Sequence, residues 1–121
     1  MNEKILEILK YEGPAPFVTN GRDGVHMVST WNSYIEVEDN NFLIPVGGLY
    51  KTQENIQNGG EVQMIIGSKE VMGISHMGAG FLLKGTAVFE FEGKRFEKTK
   101  SRFEWARAVM VFHINEEYEL I

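Results

Sequence analysis

The sequence predicts a mainly β, α+β protein built on an antiparallel barrel or curved sheet. Three observations point there. About six β-prone segments are joined mostly by short turns rich in Gly, Asn and Asp. Three further segments read as helices. Strands and helices do not alternate regularly, which argues against a doubly wound parallel sheet.

The elements follow in order. Asn2 to Glu12 reads as a helix: Asn2 can cap it, Glu3 suits the first turn, and Ile5, Leu6, Ile8 and Leu9 make an apolar stripe that Gly13 and Pro14 end. Ala15 to Thr19 is a short strand, and Asn20 to Gly24 (NGRDG) is a turn. Val25 to Glu38 is the longest strand, with Val28, Thr30, Trp31, Tyr34, Ile35 and Val37 as strand formers. After a turn at Asp39 to Asn41 the chain returns as a strand over Phe42 to Val46, which Gly47 and Gly48 break. Leu49 to Asn58 is a helix closed by Gly59 and Gly60, and Val62 to Ile66 is an apolar strand. Gly73 to Gly80, with three glycines and no helical pattern, reads as a flexible loop. Phe81 to Phe91 is a strand, Arg95 to Glu104 a helix and Ala106 to Ile114 the last strand, followed by an acidic tail from Asn115 to Ile121.

The 121 residues suit a single domain spanning 1–121. Hydrophobic residues at 43% and charged residues at 24% are globular values. A net charge of −5 disfavours nucleic-acid binding. The chain has no cysteine, so disulfides, thiol catalysis and cysteine-ligated zinc or iron–sulfur clusters are excluded. No apolar run reaches the roughly 20 residues that cross a bilayer as a helix. The N-terminal MNEKILEILKYEG lacks a signal-peptide core, so a cytoplasmic protein is expected.

Two segments carry candidate chemistry. In PVGGLYKTQEN, Pro45 to Asn55, a strand ends in two glycines and a helix opens with Lys51 and Thr52. Glycine lets backbone approach a ligand closely, and a helix N-terminus offers free N–H groups and partial positive charge. With a lysine and a hydroxyl this suits a phosphate, although the spacing is not that of a P-loop. The alternative is a plain glycine turn before a Thr-capped helix. In STWNSY, Ser29 to Tyr34, strand alternation would put Ser29, Trp31 and Ser33 on one face and Thr30, Asn32 and Tyr34 on the other. Hydroxyls, an amide and two large rings suit a heteroaromatic ligand, or else an edge strand with one solvated face. His26, His76 and His113 share no metal-ligand spacing, so no metal site is predicted. No Gly-x-Ser-x-Gly elbow is present. The basic cluster Lys94, Arg95, Lys98, Lys100 and Arg102 reads as a solvated helix face.

Taken together, STWNSY (Ser29 to Tyr34), PVGG (Pro45 to Gly48), Lys51-Thr52, Gly67-Ser68, GAGFLLKG (Gly78 to Gly85) and RFEWARA (Arg102 to Ala108) resemble the small FMN-binding proteins of sulfate-reducing and other anaerobic bacteria. These are a minimal branch of the pyridoxamine 5'-phosphate oxidase-like split-barrel flavoproteins. The resemblance covers nearly the whole chain. It implies a six-stranded Greek-key split barrel, acting as a homodimer with one FMN per subunit near the interface. It also implies roles. Ser29, Thr30, Asn32, Lys51 and Thr52 would surround the phosphate and ribityl chain. The backbone of Val46, Gly47 and Gly48 would meet the isoalloxazine. Trp31, Tyr34 and Trp105 would lie beside the flavin, Glu12 would supply a nearby negative charge, and Ile121 would pack near the partner's flavin. No catalytic residue is assigned.

The expected function is that of an FMN flavoprotein acting as a small electron-transfer protein, since no acid–base pair is evident. An FMN-dependent oxidoreductase taking electrons from flavin or NAD(P)H is the alternative, and a non-redox FMN-binding module a third reading. The expected partners are a second copy of the chain and a redox protein or small-molecule electron donor, with neither nucleic acid nor membrane.

Overall fold

A computed structural model describes all residues from Met1 to Ile121. The order is α1 (Glu3–Ile8), β1 (Pro14–Gly21), β2 (Gly24–Trp31), a 3-10 turn (Asn32–Tyr34), β3 (Glu36–Glu38), β4 (Asn41–Val46), α2 (Tyr50–Gln57), β5 (Val62–Met72), β6 (Met77–Glu90), α3 (Lys94–Arg102) and β7 (Ala108–Glu119). All strands join one antiparallel sheet in the order β2-β1-β5-β6-β7-β4-β3. The run β5-β6-β7-β4 has Greek-key order: three consecutive antiparallel strands, with α3 between the last two, are joined at β7 by the strand that precedes them. None of the helices is long and apolar enough to cross a membrane.

The strand count is seven, not the six expected. The extra strand arises because Val25 to Glu38 is not continuous. Asn32 donates its backbone N–H to the Gly13 carbonyl (2.9 Å) and its side-chain amide to the Tyr11 carbonyl (2.9 Å). This side chain ties the stretch to the α1–β1 connection, folding it into a 3-10 turn and leaving β3 as a separate edge strand. The expected alternation therefore ends at Trp31: Ser29 and Trp31 are exposed, Thr30 is buried, and Ser33 and Tyr34 lie in the turn.

The Gly73 to Gly80 stretch is also not a loop throughout. β5 and β6 run into a tight connection at Gly73–His76, closed by a Gly73 N–H to His76 carbonyl bond of 2.8 Å. A side chain at Gly73 would stand 2.2 Å from the Gly78 carbonyl, so glycine marks close backbone approach here rather than flexibility. The acidic tail continues β7 to Glu119, and Glu116 faces Lys84 of β6 across the ladder.

The main core gathers Phe17, Phe42, Met64, Phe81, Leu83 and Phe112 with Ile5 and Ile8 of α1. Phe42 and Phe112 face each other across β4 and β7 and meet edge to face at 6.2 Å. Burying each such side chain contributes about 1.5–3 kcal/mol. On the other side of the same pair, Leu43, Val109 and Val111 pack under Phe96 of α3. β4 is thus covered on both faces, which explains its nearly unbroken apolar sequence. Its end, Val46, is held inside the fold and delivers Gly47 and Gly48 to the surface.

Candidate functional site

β2, the end of β4 and the α3–β7 connection converge on one cleft of about 220 Å3. Its walls are Ser29, Thr30 and Trp31 of β2, Tyr34 of the 3-10 turn, Pro45 of β4, Gly47, Gly48 and Leu49, and Trp105. Seven of the sequence-derived candidates therefore share one cavity: Ser29, Thr30, Trp31, Tyr34, Gly47, Gly48 and Trp105.

Aromatic rings dominate one end. Tyr34 lies 4.8 Å from Phe103 and 5.9 Å from Trp105, and Phe103 lies 5.4 Å from Trp105, centroid to centroid, all tilted. Trp31 and Trp105 remain 48% and 52% exposed, so large apolar faces stand open to a ligand. Gly47 packs on Trp105, for a side-chain carbon placed there would come within 3.2 Å of the indole. Gly48 has nothing within 4 Å of that position. The glycine pair thus gives backbone access beside an aromatic wall.

The opposite end leads into α2. Leu49, its N-cap residue, adopts a left-handed conformation (φ 58°) and provides no side-chain cap. The Thr-capped alternative does not hold: Thr52 is fully buried, and its Oγ1 has no hydrogen-bond partner. An uncapped helix start and a buried unpaired hydroxyl in the same turn suit an anion acceptor. Lys51 in that turn holds Asp23 of the β1–β2 turn at 2.7 Å and Glu54 at 3.7 Å. The Asp23 hydrogen bond and charge raise the Lys51 pKa above its usual 10.5 and lower that of Asp23 below 3.8.

Four other candidates sit apart from the wall. Asn32 is fully buried with its amide committed to Tyr11, and its Oδ1 has no partner. Val46 is buried, with its carbonyl accepting from the Arg107 N–H. Glu12 braces the 3-10 turn, accepting from the Ser33 hydroxyl (2.5 Å) and from the backbone of Ser33 and Gly13. These bonds, the hydroxyl's first, hold its carboxyl below the usual 4.5. Ile121 lies in a separate depression with Gly67, Ser68 and Gly80.

Sequence reading missed Phe103 as the third ring, Pro45 and Leu49 as walls, and Arg107. Phe103 reads as part of a helix stripe. Arg107 stands in the RFEWARA motif between two alanines that are both fully buried. The available sign was an arginine set between two alanines at the start of an apolar strand. The basic cluster of α3 is partly tied down: Arg95 pairs with Glu38 and Glu90, and Lys98 with Glu36. No three His, Asp or Glu side chains assemble as metal ligands.

This sheet and cleft define a split-barrel protein of the pyridoxamine 5'-phosphate oxidase-like fold. The chain is 45% identical over 110 residues to the FMN-binding protein of Nitratidesulfovibrio vulgaris, covering 90% of this chain and 89% of that one. It belongs to that FMN-binding protein family. Among solved structures, HupZ of Group A Streptococcus superposes with a TM-score of 0.81 at 17% identity, covering 99% of this chain and 94% of its own. An FMN-binding protein of Syntrophomonas wolfei does so with a TM-score of 0.76 at 18% identity, covering 98% and 85%. A scan of protein-family profiles finds no match.

Proposed function

We propose that this chain is an FMN flavoprotein that carries electrons as a cytoplasmic homodimer. The observation that carries the FMN reading is the buried, unpartnered Thr52 hydroxyl at an uncapped helix start, next to a cleft walled by aromatic rings. A phosphate fits the first, and a flat heteroaromatic ring fits the second. Bound FMN would supply the redox chemistry. Thr52, the α2 N–H groups and Lys51 would hold its phosphate, with Lys51 sharing its charge between phosphate and Asp23. Ser29 and Thr30 would meet the ribityl hydroxyls. Trp31, Tyr34 and Trp105 would cover the ring, and Gly47 and Gly48 would meet its edge.

A carrier role is supported by the cleft lining, in which Tyr34 is the one side chain of a usual proton-transfer type and has no second such group beside it to form an acid–base pair. Dimerisation is supported by two features. The cleft is smaller than the roughly 300–1,000 Å3 usual for a small-molecule site, as if one copy makes only part of it. The outer face of β2, β1, β5 and β6 also exposes Val25, Met27 and Ile65 around a groove lined by Val18, Met27, Ile65 and Leu82. A reductase reading rests on the exposed indoles of Trp31 and Trp105, which leave room for a nicotinamide.

The test is the visible spectrum of the purified protein, followed by chromatography of the heat-released cofactor. Flavin bands and FMN at about one per chain support the reading. A colourless protein that also fails to bind added FMN overturns it. Steady-state turnover with NADH or NADPH would favour the reductase. Reversible reduction without such turnover would favour the carrier.

A further inference from the structure

Arg107 contacts three successive carbonyls of the glycine segment. Its backbone N–H donates to Val46 (2.8 Å), its Nε to Gly47 (2.9 Å) and its Nη2 to Gly48 (2.6 Å). Its guanidinium lies 4.0 Å from the ring centroid of Tyr50, the first residue of α2. One residue thus spans the segment, its backbone at the end of β4 and its side chain from Gly47 to the start of the helix.

We propose that Arg107 is a positioning residue that turns the Gly48 and Leu49 N–H groups toward the cleft. The argument is covalent geometry. In a trans peptide the carbonyl and the following N–H point in opposite directions, and every peptide bond here is trans. With the Gly47 and Gly48 carbonyls held on the guanidinium, the N–H groups of Gly48 and Leu49 point away from it. Gly47, Gly48 and Leu49 line the cleft, and Arg107 does not. A glycine pair has the widest backbone freedom, and a side-chain carbon at Gly48 would meet nothing within 4 Å, so no packing on that side fixes the backbone. The planar fork of arginine can hold two carbonyls at once, whereas a lysine ammonium is a point charge on a flexible stem. The clamp therefore leaves N–H donors facing the ligand immediately before the free N–H groups of α2. Resting on the FMN reading, this makes Arg107 the residue that keeps donors at the ring end of the site, where they favour the more negative reduced ring.

The test uses Arg107→Lys, with Arg107→Gln as a second variant that can still donate to one carbonyl, and two readouts. The first needs no flavin: 15N relaxation of the Gly47, Gly48 and Leu49 amides in the flavin-free protein. Wild-type order should match that of β4, and Arg107→Lys should drop these amides toward the flexible range below about 0.6 while β4 and α2 stay rigid. Unchanged order in both variants overturns the clamp. The second readout is affinity for FMN and for riboflavin, with the midpoint potential. Arg107→Lys should weaken both ligands alike, by about tenfold, and make the potential more negative. A loosened segment with unchanged affinities and potential overturns the role toward the ligand. A wild-type protein that binds neither flavin would sink the FMN reading instead, and the amide order alone would then decide the clamp.

Discussion

Lys51 meets Asp23 and Glu54 in this fold, so its charge is already engaged before any phosphate arrives. Its removal should still be felt at the phosphate end. Lys51→Ala should weaken FMN binding roughly ten- to a hundredfold, the range for a hydrogen bond to a charged group, and leave riboflavin affinity unchanged. Fluorescence titration with the two ligands checks this, and equal loss for both would remove Lys51 from the phosphate. Glu12 carries a pH prediction. Its folded pKa lies below 4.5 because Ser33 and Gly13 hydrogen-bond the carboxylate. A depressed pKa adds stability that is full above the unfolded value and is lost as pH falls through the folded value. Glu12→Gln should therefore reduce the fall in stability below about pH 4.5 and leave its slope near neutrality unchanged, as urea melts across pH would show. At this scale the residue types at the site were readable as chemistry. The Asp23–Lys51 pair was not, because its members lie 28 positions apart and nothing local marks them as neighbours.

Among the elements, the β6–β7 ladder shows best what decides strand ends. Its register slips between Lys84 and Gly85, where Asn115 is the extra residue on β7. Such a bulge sharpens twist and bends the strand, as closing a barrel requires. Gly85 is what permits it: a side-chain carbon there would stand 1.8 Å from the His113 carbonyl. Gly85→Ala should destabilise the protein by about 1–3 kcal/mol or more, since backbone rather than a side chain must move. Chemical denaturation measures it, and a loss near zero would mean that the ladder shifts freely. The apolar centres of the strands were legible as hydrophobic runs. The outer halves of β5 and β7 were not, because their polar residues are extended only by pairing with β6. The break at Asn32 escaped for a related reason. Trp31 and Tyr34 favour strands, and the bonds that override them run to Tyr11 and Gly13.

For the whole molecule, the outer face of the sheet yields the assembly prediction. Ile65 and Met27 stand 47% and 68% exposed on that face. Sedimentation velocity at micromolar concentration should give a dimer, and Ile65→Glu should shift it to monomer. A monomeric wild-type protein would overturn the homodimer. Antiparallel mainly β architecture, most of the turns, the three helices and the family followed from the linear chain, because hydrophobic period, glycine placement and short motifs are local properties. The seventh strand, the cleft shared by Ser29, Tyr34, Gly47 and Trp105, the unpartnered Thr52 hydroxyl and the Arg107 clamp came from folding. Each depends on which distant backbone groups find one another, and a hydrogen bond across tens of residues leaves no periodic trace in sequence.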